Sequence, residues 1–134
     1  MNDDPEQEQQ AQQLIGPSTF LSLLDASFDP IGIVGPDGRY QWINDASVRL
    51  FGYTREEVIG SHFRDWLLPD ESVSGSMAQA LHGEAASVVR RVRVKNGSVM
   101  VLRTELIPLG DGRVAIHASD LTALYELLRE RGEA

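Results

Sequence analysis

The side chains best suited to catalytic chemistry are three histidines, two of which lie close to a serine. His62 follows Ser61 directly, and His117 comes shortly before a serine and Asp120. A hydrolytic triad needs a serine, a histidine and an acid that the fold brings together, and adjacency in sequence does not supply that geometry. His82 lies near an acid only. We therefore predict no catalytic residues and a protein that is not an enzyme.

Sequence motifs for nucleotide and metal chemistry are absent. There is no Gly-x-Gly-x-x-Gly pattern, no Walker loop and no His-Glu-x-x-His pair. The chain has no cysteine, which excludes disulfides, thiolate catalysis and cysteine metal sites. We predict no metal site.

Length and composition indicate one ordinary soluble domain of 134 residues, with 42% hydrophobic and 24% charged residues. The net charge of −8 argues against binding to a phosphate backbone, so no nucleic-acid partner is expected. No apolar run approaches the ~18–20 residues of a membrane span, and the acidic N-terminus is unlike a signal peptide. The predicted location is the cytoplasm, without a membrane partner.

The N-terminal part of the chain divides into a tail and a helix. Residues 1–13 carry four acids and no basic residue, which predicts a disordered tail or a helix that orders only against a partner. Residues 14–27 follow as a short amphipathic flanking helix, with Phe20, Leu23 and Leu24 on one side.

A β-hairpin and several short helices are predicted next. The hairpin turns at Gly-Pro-Asp-Gly, as a type I turn prefers. Asn44 or Asp45 can cap a helix that ends at Gly52. Thr54 and Glu57 then form a capping box for a second helix. Each helix is too short to be stable alone, so we expect packing to hold both.

The remaining elements are a third helical turn, a longer helix, three strands and a last helix. The longer helix has Val73, Met77 and Leu81 on one side, spaced four apart. Asn96-Gly97 predicts a type I′ hairpin turn between two of the strands, because both residues tolerate positive φ.

In this order of elements the sequence resembles a PAS domain over residues 18–128. The motif DPIGIVGPDGRYQWINDASVRLFGYTREEVIG matches that family's strand-turn-strand-Asn-helix-Phe-Gly-Tyr-helix-Gly pattern, VKNGSV its later hairpin, and SDLTAL its Asp-x-Thr exit motif. The resemblance implies an α+β fold with a five-stranded antiparallel sheet of order 2-1-5-4-3, short helices covering one face and flanking helices at both ends. The PAS core is expected at residues 28–119 and an exit helix at residues 120–134.

The resemblance also implies a pocket between the short helices and the sheet, with Thr104 and Arg90 as polar anchors for a small apolar or amphipathic ligand. The candidate lining residues are Ile33, Phe63, Trp66, Met77, Leu81, Arg90, Leu102, Thr104 and Ile116. The same side chains could instead fill the core and leave no room for a ligand. The sequence leaves both interpretations open.

Cofactors that the family carries elsewhere are not expected here. Cysteine-linked flavins and thioester-linked chromophores are excluded because the chain has no cysteine. His82 is predicted to lie in the last turn of the longer helix, where a histidine stabilises the helix end rather than binding haem. Trp42 and Trp66 could flank a non-covalent FAD, but we interpret both as core residues. The expected cofactor is none or an unknown small apolar ligand, and neither haem nor FAD.

The predicted function is a sensor and signal-transduction module that passes a signal from its pocket through the C-terminal helix. Asp120, as a cap, and Thr122 are expected to couple the core to that helix. A homodimer is predicted through apolar residues of the two flanking helices, namely Phe20, Leu23, Leu24, Leu121, Leu124 and Leu128. An effector domain is expected beyond residue 134, whether a kinase, a cyclic-dinucleotide enzyme or a DNA-binding domain. The alternatives are a ligand-free dimerisation module, or a haem or flavin sensor.

Overall fold

The computed structural model of the chain describes Ser22, residues 24–68 and residues 75–132. The predicted tail at residues 1–13, most of the flanking helix, including Phe20 and Leu23, and Val73 lie outside the described residues. The strands are β1 Ile31–Val34, β2 Tyr40–Ile43, β3 Ala86–Arg93, β4 Val99–Pro108 and β5 Val114–Asp120. The helices are α1 Asp45–Phe51, α2 Arg55–Val58, a 3₁₀ turn Phe63–Trp66, α3 Gly75–Leu81 and α4 Thr122–Glu130.

The five strands form one antiparallel sheet in the order β2-β1-β5-β4-β3, which confirms the predicted fold. Side chains alternate between the two faces of a strand, so Leu102, Thr104 and Leu106 of β4 share one face. The register places Thr104 opposite Ala118 and Leu106 opposite Ile116 of β5. We call this the inner face of the sheet, because α1, α2, the 3₁₀ turn and α3 cover it. The opposite face is the outer face.

One hairpin turn agrees with the prediction from sequence and the other does not. Gly38 has a φ of 78° and donates its N–H to the Gly35 carbonyl at 2.9 Å, which closes the predicted Gly-Pro-Asp-Gly turn. The prediction of a type I′ turn at Asn96-Gly97 is wrong. Only Gly97 has a positive φ there, and its N–H donates to the Val94 carbonyl at 2.9 Å. The connection is therefore a three-residue loop with one left-handed residue.

The ends of the short helices lie at the capping residues that the sequence predicted. The Asn44 side chain accepts the Ser47 N–H to start α1, and Gly52 ends it in the left-handed conformation with a φ of 82°. Thr54 and Glu57 form both hydrogen bonds of the capping box at the start of α2. A helix of seven or four residues is marginal in water, so contact with the sheet must stabilise both.

The hydrophobic core lies between the inner face of the sheet and the short helices, in two clusters of buried residues. The first consists of Val34, Met77, Ala80, Leu106 and Val114. The second consists of Val94, Met100, Leu102 and Ala118.

The exit helix α4 keeps its apolar residues largely outside this core. Leu124 is 49% exposed and Leu127 is 50% exposed, whereas Leu128 is half-buried. Leu121 precedes the helix and is half-buried. Within the described residues, no helix is long and apolar enough to cross a membrane.

Candidate functional site

A cavity of about 140 Å³ lies between the inner face of the sheet and the short helices. Seven of the nine residues predicted for the pocket line it. They are Phe63, Trp66, Met77, Arg90, Leu102, Thr104 and Ile116. The sequence reasoning missed several further lining residues, among them Tyr40, Phe51, Tyr53, Val88 and Ala118. Alternation along β3 and β5 could have found Val88 and Ala118, whereas the loop position of Tyr53 gave no such signal.

Two of the nine predicted residues, Ile33 and Leu81, do not line the cavity, so the prediction was wrong for them. Ile33 pairs with Trp42 of β2 and with Ala115 of β5, and all three lie on the outer face of the sheet. The alternation of β1 instead turns Gly32 toward the cavity. Leu81, the last residue of α3, packs against the first core cluster and does not reach the cavity.

The position of Trp42 also decides against the flavin arrangement considered from sequence. Trp66 lines the cavity, but Trp42 lies on the other side of the sheet. The two indoles therefore cannot sandwich one ring. Pockets for drug-sized ligands measure about 300–1,000 Å³. The cavity of about 140 Å³ lies below that range.

The histidines do not assemble catalytic or cofactor geometry among the described residues. His82 is exposed, contacts the Ala78 carbonyl at 2.7 Å through Nδ1 and lies outside the cavity lining. His62 accepts the Arg64 N–H at 3.2 Å. The His117 ring lies 3.0 Å from a carboxylate oxygen of Asp29, not beside a serine. In the described ranges, no group of histidine, aspartate or glutamate side chains could hold a metal ion.

Polar groups at the cavity wall are mostly engaged within the protein. Trp66 Nε1 donates to Ser61 Oγ at 2.8 Å, and Ser47 Oγ lies 3.0 Å from Asn44 Oδ1. Arg90 also has an interaction partner in the chain. Burial raises the pKa of Tyr40 to about 12, so its phenol stays neutral at physiological pH. The cavity wall is therefore mainly apolar, and most of its polar groups already have partners within the protein.

One residue that the sequence marked only as a helix cap proves to be a central connector. Asn44 is fully buried and donates through Nδ2 to the carbonyls of Leu24 at 2.8 Å and Asp29 at 3.0 Å. Its Oδ1 accepts the N–H groups of Ile31 at 2.9 Å and Ser47 at 3.1 Å. This side chain therefore joins the N-terminal flank, β1 and α1.

We call the short helices that cover the inner face (α1, α2, the 3₁₀ turn and α3) the lid, and Lys95 attaches this lid to the β3–β4 hairpin. Its Nζ lies 2.8 Å from Glu57 Oε1 and 5.7 Å from the centre of the Tyr53 ring. Its backbone N–H donates to the Phe51 carbonyl at 2.9 Å. A Cβ built on Gly52 would lie 3.1 Å from Lys95 Cβ, so glycine allows this close approach. The Lys95 pairing lowers the pKa of Glu57 most, and the Thr54 N–H contributes to the same shift.

The exit helix is attached to β4 through the backbone of Val101. Thr122 Oγ1 accepts the Val101 N–H at 3.0 Å, and the Val101 carbonyl accepts the Leu121 N–H at 2.8 Å. The Asp120 carboxylate was expected to cap the free N–H groups of this helix. Asp120 is the last residue of β5, and the N-cap position itself is occupied by Leu121. Asp120 Oδ1 nonetheless accepts the Thr122 N–H at 2.9 Å.

Comparisons with known proteins agree with this architecture. The family model described as PAS fold matches residues 24–126. Among curated proteins, none matches the chain. A domain of the sensory box sensor histidine kinase/response regulator from Geobacter sulfurreducens is 25% identical, with a TM-score of 0.70 over 77% of this chain and 92% of that one.

Two further solved structures show the fold alone, at 20% identity. The PAS domain of an HTR-like protein from Haloarcula marismortui has a TM-score of 0.66 and covers 87% of this chain and 99% of that one. An RNA-binding light-oxygen-voltage receptor has a TM-score of 0.79 over 99% of this chain and 42% of that one. With its sheet order, short helices and family match over residues 24–126, the chain belongs to the PAS fold family.

Proposed function

We propose that this PAS domain is a sensory signalling module that receives its signal at the lid and cavity and transmits it through α4. The observation that carries the proposal is the double hydrogen bond between Val101 and the start of α4. The similarity to a domain of a sensor histidine kinase/response regulator supports the same function.

The path from cavity to helix is short. Leu102 lines the cavity and is buried, and it follows Val101 directly in β4. Leu102 is also paired with Asp120, which accepts the Thr122 N–H. A ligand that displaces Leu102 would strain the backbone at Val101, to which Leu121 and Thr122 are bonded. Leu102, a residue of β4 that lines the cavity, is therefore the direct neighbour of the residue that holds the exit helix, Val101.

Two arrangements of α4, attached to β4 or released from it, form the proposed output. A ligand shifts the balance between them by no more than its difference in affinity for the two. The released helix would alter the geometry of a homodimer or the contact of this domain with an effector.

Native mass spectrometry of protein freshly purified from cells, combined with hydrogen exchange before and after removal of any co-purified molecule, tests the proposal. We expect a bound small molecule whose removal changes protection in α4 while the protection of β5 stays the same. Unchanged protection in α4 between the two states would contradict the proposal.

A second candidate function is a dimerisation module that binds no ligand. It is favoured by the exposed apolar residues outside the core, since Phe28 is 90% exposed and Leu124 and Leu127 are about half exposed. Leu124 and Leu127 lie three residues apart on α4 and so share one side of the helix, and exposed apolar patches often mark protein interaction sites. The same mass measurement separates the two functions, because a module of this kind would show a dimer without added mass.

A further inference from the structure

The size of the cavity limits what it can hold. Its volume of about 140 Å³ is close to the ~150 Å³ of an engineered apolar cavity that binds benzene or xenon. Phe51, Tyr53, Phe63 and Trp66 surround it from the lid side, so a flat ring would meet aromatic edges and faces. The Tyr53 and Trp66 rings already pack edge to face, with centroids 4.5 Å apart, which fixes that wall.

The charges at the wall limit the ligand further. No acidic side chain is among the described lining residues, so a cation would find no carboxylate there. Arg90 could attract an anion, but it is already engaged with another group of the chain. Arg93 donates through Nη1 to the Gly97 carbonyl at 2.8 Å. Burying a charge without a dedicated partner is costly, which favours an uncharged molecule.

One hydroxyl at the wall is available for a polar contact. Thr104 lies on the inner face of β4 and lines the cavity, and none of the described residues forms a hydrogen bond with its side chain. It can donate to one acceptor atom of a bound molecule.

We infer that the cavity takes an uncharged molecule with a single ring, apolar except for at most one hydrogen-bond acceptor, which Thr104 would contact. The inference rests on the proposed function and specifies the ligand class of the same site. It separates this domain from one that holds a cofactor with several fused rings.

The test uses the full chain and four probes, namely benzene, naphthalene, benzoate and benzylamine, with binding followed by amide NMR shifts. Two matched variants of β5 locate the site. Ala118→Leu fills the cavity from the inner face, whereas Ala115→Leu adds the same atoms to the outer face. Val88→Leu, from β3, serves as a second filling variant in case Ala118→Leu does not fold.

Benzene should bind the wild type at least about tenfold more tightly than the other three probes. Ala118→Leu or Val88→Leu should weaken benzene binding by about tenfold or more, and Ala115→Leu should leave it unchanged. Naphthalene, benzoate or benzylamine binding as tightly as benzene overturns the ligand class, and so does a lack of benzene binding.

Hydrogen exchange in α4, measured in the same samples, reports separately on the proposed function. Benzene binding that leaves α4 protection unchanged would support the ligand class and count against signalling. A probe of another class that binds and alters α4 would overturn the ligand class and leave the signalling function intact.

Discussion

The Thr122 hydroxyl accepts the Val101 N–H at 3.0 Å, so a side chain at the start of the exit helix continues the hydrogen bonding of a strand that lines the cavity. We predict that Thr122→Val releases α4 from β4, because valine has a similar shape and no acceptor. The loss should be that of one hydrogen bond, about 0.5–1.5 kcal/mol, and confined to the helix. Hydrogen exchange should show weaker protection from Leu124 to Leu128.

Thr122→Ser is the matched control for this prediction, because it keeps the hydroxyl and should keep the protection of α4. Equal protection in the valine and serine variants would show that the hydroxyl does not hold the helix. Loss of protection throughout β4 and β5 would instead assign Thr122 to the general stability of the fold.

Asp120→Ala should also loosen α4 without unfolding the core, because its carboxylate accepts the Thr122 N–H at 2.9 Å. Asp111→Ala is the control, since Asp111 makes the same kind of bond to the Arg113 N–H at 3.1 Å in the β4–β5 connection, at the other end of β5. We expect lost exchange protection in α4 for the first variant only. The same effect from both variants would argue against a coupling role for Asp120.

Much of this fold follows from local sequence signals. Asn44, Gly52, Thr54 and Glu57 lie at helix ends where few other residues satisfy the free backbone groups, so the boundaries of α1 and α2 could be predicted. The turn type at Asn96-Gly97 could not, because a three-residue loop that needs only one left-handed residue, here Gly97, is also compatible with Asn-Gly.

The cavity was predicted less completely than the fold. Alternation along a strand shows which residues share a face but not which face is covered. Ile33 was therefore assigned to the wrong side of the sheet. The connecting role of Asn44 depends on carbonyls of Leu24 and Asp29, which lie 20 and 15 residues away. Such long-range partners appear only in the folded chain.

The lid attachment by Lys95 predicts a specific pH dependence. The folded-state pKa of Glu57 lies below its ordinary value of 4.5. The ion pair between Glu57 and Lys95 therefore stabilises the folded state above pH 4.5, and this stabilisation is lost as the pH falls through the folded-state pKa. In Lys95→Met the carboxyl NMR titration midpoint of Glu57 should rise. It should remain somewhat below 4.5, because the Thr54 N–H still donates to the carboxylate at 3.1 Å.

Asp111 is the internal control for that titration, since Arg113 lowers its pKa independently of Lys95. Its midpoint should be identical in the two proteins. A Glu57 midpoint unaffected by the loss of Lys95 would mean that the ion pair does not persist in solution.

The exposed leucines of α4 predict self-association through the exit helix. Replacing Leu124 and Leu127 by glutamate should lower the dimer fraction in sedimentation experiments, because charged side chains at an apolar interface lose their hydration. Leu109→Glu is a suitable control, since Leu109 is 42% exposed in the β4–β5 connection. A wild-type chain that remains monomeric at the highest concentration reached would exclude this dimer.

The strongest destabilisation is expected at Asn44, which is buried and whose side chain makes five hydrogen bonds to three parts of the chain. Asn44→Ala leaves buried carbonyl and N–H groups of the flank, β1 and α1 without partners, and should cost about 3 kcal/mol or more. Asn44→Asp should also be unstable, because its carboxylate would face the Leu24 and Asp29 carbonyls. Asn96→Ala, which removes one exposed bond to the Ser98 N–H, should cost about 1 kcal/mol or less. Urea unfolding with an unchanged m-value measures all three, and an Asn44→Ala protein as stable as Asn96→Ala would disprove the connecting role.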